Sequence, residues 1–128
     1  MSYYIAKIIQ SDFDSAVSKI TESLKKQGFG VLSEINIHEK LKEKLDIDFR
    51  KYRILGACNP PFAYEALQKE DKIGTMLPCN VIVQERDKGQ VEIAAVDPIV
   101  SMQGVENPEL AIIASRVKES LQAAIDEI

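Results

Sequence analysis

The stretch that begins at Asn107 constrains the fold most. Leu110, Ile113, Ala114, Val117, Leu121, Ala124, Ile125 and Ile128 recur at three- and four-residue intervals. That spacing puts them on one continuous apolar stripe of an α-helix. Asn107 offers a side-chain oxygen to the free amides of the first turn, and Pro108 has no N–H to lose at the first helical position. A helix this one-sided must bury its stripe. The rest of the chain is cut into short segments of alternating pattern, so the surface available to receive it is a sheet.

Tyr3 to Ile9, rich in β-formers, is predicted as the first strand. Ser11 then reads as the cap of a helix, with Asp14 as the acid that reaches back. Phe13, Ala16, Val17, Ile20 and Leu24 form its buried stripe and Gly28 its end. Phe29, Val31, Ile35 and Ile37 alternate, interrupted at Ser33, and predict a strand over 29–37 with one buried face. His38 to Lys44 alternates acid and base, the pattern of a solvated helix face laced by ion pairs, with Leu41 and Leu45 packing it. Tyr52 to Cys58 is more continuously apolar and reads as a central strand.

Asn59-Pro60-Pro61 repeats the cap-then-proline signature, and Phe62, Ala63, Ala66 and Leu67 face the core of the helix it starts. Residues 69–78 are predicted as a loop. Cys79 to Arg86 and Gln90 to Val96 are strands joined by Asp87-Lys88-Gly89, a hairpin. Asp97-Pro98 closes the second strand, and residues 99–106 read as irregular.

These elements predict an α+β domain over residues 1–128, with a mostly antiparallel sheet carrying its helices on one face. The other face is mixed: Asn80, Ile82 and Gln84 on one hairpin strand, Glu92, Ala94 and Val96 on the other. A half-apolar open face calls for a cover, and a homodimer supplies one. Composition matters here for what it excludes. A chain of 128 residues with 45% hydrophobic and 28% charged residues has the make-up of a folded domain. A net charge of −4 with both signs interspersed argues against nucleic acid as a partner. No secretory pattern and no membrane-length apolar run is present, so the expected compartment is the cytoplasm, no membrane is expected as a partner, and the two cysteines are expected as thiols.

The segments with most chemical interest each end in a Cys-Asn dipeptide beside proline: Cys58-Asn59 and Cys79-Asn80. On neighbouring strands both thiols approach one end of the sheet. Cys58 also precedes a helix N-terminus, where the macrodipole favours a thiolate. Three readings stand: thiols that pack as small hydrophobes, a ligand or thiol site, and a disulfide. A metal site is not expected, because there is no C-x-x-C and His38 lies far off in sequence. No catalytic residue is assigned and no cofactor is expected. His38 is the sole candidate base and reads as a surface residue, and no P-loop, G-x-G-x-x-G or G-x-S-x-G is present.

Taken together, Arg53-Ile54-Leu55-Gly56-Ala57-Cys58-Asn59-Pro60, Leu77-Pro78-Cys79-Asn80-Val81, Asp87-Lys88-Gly89 and Asp97-Pro98 resemble the domain of unknown function 302 family along nearly the whole chain. The resemblance implies a fold similar to one half of the TATA-binding protein: strand, helix, four strands, helix, with a curved antiparallel sheet and, here, short helical insertions. It implies a dimer and no established activity. Cys58 and Cys79 depart from the pattern of many relatives, as do Asn36 and Ile37. The function expected is a small dimeric module that binds a small-molecule ligand or a partner without catalysis of its own, at Cys58, Asn59, Cys79 and Asn80. The alternative is a thiol-dependent enzyme or redox sensor using Cys58 with Cys79 as its resolving partner.

Overall fold

The computed structural model describes residues 2–128. In chain order they form β1 (Tyr4–Gln10), α1 (Phe13–Lys26), β2 (Gly30–Asn36), α2 (Ile37–Leu45), β3 (Tyr52–Cys58), α3 (Pro60–Lys69), a 3₁₀ segment (Asp71–Met76), β4 (Cys79–Glu85), β5 (Gln90–Val96), α4 (Pro98–Ser101) and α5 (Pro108–Asp126). The strands make one five-stranded sheet in the order β1-β5-β4-β3-β2. Every neighbouring pair is antiparallel. The class is therefore α+β, with a strand-helix-four-strand-helix order and helical insertions. β4 is the central strand; β3, which the sequence pointed to, is the next one out.

Register decides which side chains meet the helices. Leu55, Val81, Ala95 and Ile5 stand in one row across four strands. Val83, Ile93 and Lys7 stand in the next. Above them lie α1 and α5, which bury Phe13, Ala16, Val17, Ile20 and Leu24 from one and Leu110, Ile113, Val117, Leu121 and Ile125 from the other. Buried Ser23 ties the two helices by donating to the Ala124 carbonyl at 2.5 Å. Lys7 shares the covered face, and its amine escapes burial by reaching the carbonyls of Asp126 and Ile128 at the end of the chain.

The helix starts correct one reading and support another. Asp12, not Ser11, caps α1: its carboxylate accepts from the Ser15 N–H at 2.8 Å. Asn107 caps α5 as expected, accepting from the Glu109 N–H at 3.1 Å. Ile37 begins α2 rather than ending β2, and α2 buries none of its residues. Leu45 is 62% exposed, so only Leu41 packs. The ion-paired surface is there: Lys42 meets Asp46 at 3.0 Å and Asp48 at 3.2 Å. Residues 71–76 are 3₁₀ and residues 98–101 helical, so neither segment is plain loop. No helix among the described residues is long and apolar enough to cross a membrane.

Candidate functional site

β3 and β4 are neighbours, and Ala57 pairs with Cys79, so Cys58 lies one residue from Cys79's partner at the same sheet end. Both thiols are free. Cys58 is half-buried and Cys79 buried, and both line a cavity of ≈ 30 Å³ between this sheet end, α3 and α5. That volume is about the share of one water molecule, far below what an organic ligand needs. Burial, and then repulsion from Cys58, pushes the Cys79 thiol up to about 11. At neutral pH it is a protonated, poor nucleophile.

The asparagines part company. Asn59 lines the thiol cavity, but its amide donates to the Gln27 carbonyl at 3.3 Å. It also lies beneath Gly28, where a Cβ would come within 3.0 Å of Nδ2 and where φ is +87°. Asn59 thus locks the end of α1 to the start of α3, and it makes no side-chain cap bond to α3. Asn80 is exposed and, by the two-residue alternation of β4, stands on the opposite face of the sheet from Cys79. Cys58, Asn59 and Cys79 thus line the inner cavity, whereas Asn80 lines the open face and an outer hollow that it shares with Cys79.

The uncovered face carries a second feature. Ile35, Ile54, Ile82, Ala94 and Ala6 form a row across all five strands. Beside the row is a depression of ≈ 480 Å³ whose lining includes Tyr4, Tyr52, Asn80, Gln84, Arg86 and Glu92. Gln84 is only 8% exposed although no helix covers it. Arg50 Nε donates to its Oε1 at 2.9 Å, and its Nε2 donates to Glu92 Oε1 at 3.1 Å. Arg86 closes the chain on the same Glu92 oxygen at 3.4 Å. The Arg50 guanidinium rests over the Phe49 ring, 4.3 Å from its centroid. A glutamine, a carboxylate and two guanidiniums are therefore fixed before any ligand arrives.

A family model described as "Domain of unknown function DUF302" matches residues 5–128. The chain belongs to the DUF302 family. A crystal structure of the uncharacterized conserved protein DUF302 from Bacillus stearothermophilus superposes with a TM-score of 0.91 at 30% identity, over 98% of each chain. No curated protein matches the chain.

Elsewhere in the DUF302 fold, the groups with altered acidity serve structure. Burial pushes the Asp97 carboxyl up, but Lys118 at 2.9 Å and the Ile99 N–H outweigh it and hold the acid below its usual range. Asp12 is held low by the two bonds from Ser15 that cap α1. His38 is not the surface decoration its charged neighbours implied. It is half-buried, accepts the Tyr52 N–H at Nδ1 at 3.0 Å, and meets the Phe13 ring edge-on. Sequence reasoning placed Gln84 and Glu92 on the open face without joining them into a cluster, and it did not single out Arg50 or Arg86. The signal was there, since Gln84 and Glu92 are polar residues facing one another in the hairpin register.

Proposed function

We propose that this DUF302 chain is a single-domain, dimeric, non-catalytic module that binds a small molecule on the open face of its sheet. The depression on that face carries the reading. Its volume lies in the range of small-ligand sites, its floor is apolar, and a few polar groups converge on it in fixed positions. Exposed Tyr4, Ile8 and Ile35 flank it, which suits cover by the same face of a second copy. The ligand then lies between two subunits, and of the four residues expected from sequence only Asn80 touches it. The element order supports the likeness to one half of the TATA-binding protein. Two free thiols suit the reducing cytoplasm.

The redox alternative has less support, because burial makes Cys79 a reluctant thiolate. Native mass spectrometry of gently purified protein tests the proposal. The expected species is a dimer carrying a defined extra mass, with that mass reduced or lost in Gln84→Leu. A monomer without added mass at high micromolar concentration would overturn it, and a bare dimer would remove the ligand from it.

A further inference from the structure

The sulfur-bearing side chains among the described residues are not scattered. Among the described residues there are two cysteines and two methionines, and all four line two adjoining hollows at one end of the sheet. The inner one, of ≈ 30 Å³, is bordered by Cys58, Cys79 and Met102. The outer one, of ≈ 190 Å³, is bordered by Met76, Cys79 and Met102. Met76 is 42% exposed, so a thioether stands at the mouth and two thiols within.

The rest of the inner lining is Asn59 and side chains without donor atoms, such as Phe29, Leu77 and Ile113, and the Asn59 amide is held by Gln27. The room is small, and apart from Asn59 the lining residues that carry a donor atom in their side chains are Cys58, Cys79 and Met102. No three of His, Cys, Asp and Glu gather as a metal cluster among the described residues, so a zinc site or an oxygen-ligated cation has no donor set here. Two thiolates and a thioether in an apolar cavity select a soft, weakly hydrated ion.

We propose that Cys58, Cys79 and Met102 form a binding site for a single copper(I) ion, loaded past Met76. The site lies under the helices, so it does not rest on the open-face reading above. Binding is a ligand exchange without oxidation or reduction. Two Cu–S bonds form to the cysteines and one dative bond to the methionine, the ion leaves its carrier, and each thiol gives its proton to water. The product carries one net negative charge. Cys58 precedes the N-terminus of α3, whose dipole favours that charge. Because protons are released, affinity rises with pH.

The test is an anaerobic titration of reduced protein with copper(I) held by a bicinchoninate chelate. Wild type is expected to withdraw one ion per chain and to show a sulfur-only first shell by X-ray absorption. Cys58→Ser is expected to weaken binding by more than ~100-fold, beyond what loss of an outer-shell partner produces, and Met102→Leu by about tenfold. Leucine keeps the volume of Met102, so this variant stays folded if Cys79→Ser does not, and circular dichroism checks each. Wild type that leaves copper on the chelate, nitrogen or oxygen in the first shell, or an undiminished affinity in Met102→Leu would each overturn the proposal.

Discussion

At the scale of single residues, Cys79 links burial to pH. Its folded-state value of about 11 stands above the ordinary thiol value of 9.0. Between those values the native state holds a proton that the unfolded chain has released, so unfolding becomes easier as pH rises. The stabilisation is fully present below about pH 9 and is lost as pH climbs through 11. A shift of this size corresponds to about 2–3 kcal/mol. Denaturant unfolding under reducing conditions should show a steeper alkaline decline for wild type than for Cys79→Ala, which keeps every other titrating group. Parallel declines would mean that the thiol is not buried as described.

Gly56 tests the sheet beside it. A Cβ there would meet Ser33 Oγ and lie 2.8 Å from Pro78 Cγ. The hydroxyl can rotate away, but the proline ring cannot, so Gly56→Ala should cost about 1–3 kcal/mol in chemical denaturation. At this scale the sequence was half legible. Proximity of the two thiols followed from two Cys-Asn strand ends, whereas Asn80 followed its strand's alternation to the other face. Met102 gave no local signal. It lies just past α4 in a segment that read as irregular, and only the packing of that segment places it on the cavity that the two cysteines line.

Elements were more legible where one pattern had no competitor. The stripe of α5 has eight apolar positions in phase, and seven are buried in the helix while Ile128 packs beyond its end. Its N-terminus does two jobs, since Asn107 Oδ1 caps the helix and Nδ2 donates to the Lys69 carbonyl at the end of α3 at 2.9 Å. Asn107→Ala should therefore cost about 1–2 kcal/mol, with Asp largely restoring the cap but not the bond to Lys69. Equilibrium unfolding of the three proteins measures both parts.

Legibility failed where two residues could do one job. Ser11 and Asp12 are both good caps, and a shift of one position decides which oxygen reaches the first turn. At Ile37 the alternating pattern of β2 ran into the ion-paired pattern of α2, and one apolar residue cannot say to which it belongs. β3 reads as central because its inner end is closed on both faces: Leu55 and Ala57 are fully buried on one side, while Ser33 and Pro78 crowd Gly56 from the other. Burial from both faces does not require the middle place in the sheet.

At the scale of the whole molecule, the sheet has one face under helices and one face bare, and the bare face holds a continuous apolar row. Ile82 is at the centre of that row, with Ile54 on one side and Ala94 on the other. In an isolated chain, Ile82→Lys changes a side chain that helices never touch, so the fold should survive it. In a dimer joined through this face, the same change places two ammonium groups in an apolar contact without counter-charges, a cost that association cannot offset. The two cases separate in the concentration dependence of thermal unfolding. A dimer that dissociates as it unfolds gains stability by mass action, so wild-type Tm should rise steadily as protein is raised from micromolar to near-millimolar. Ile82→Lys should give a Tm that does not move over the same range, and sedimentation should report half the wild-type mass. Coincident, flat curves for the two proteins would place the cover of this face elsewhere, because a face that self-associates cannot be indifferent to charge at its centre.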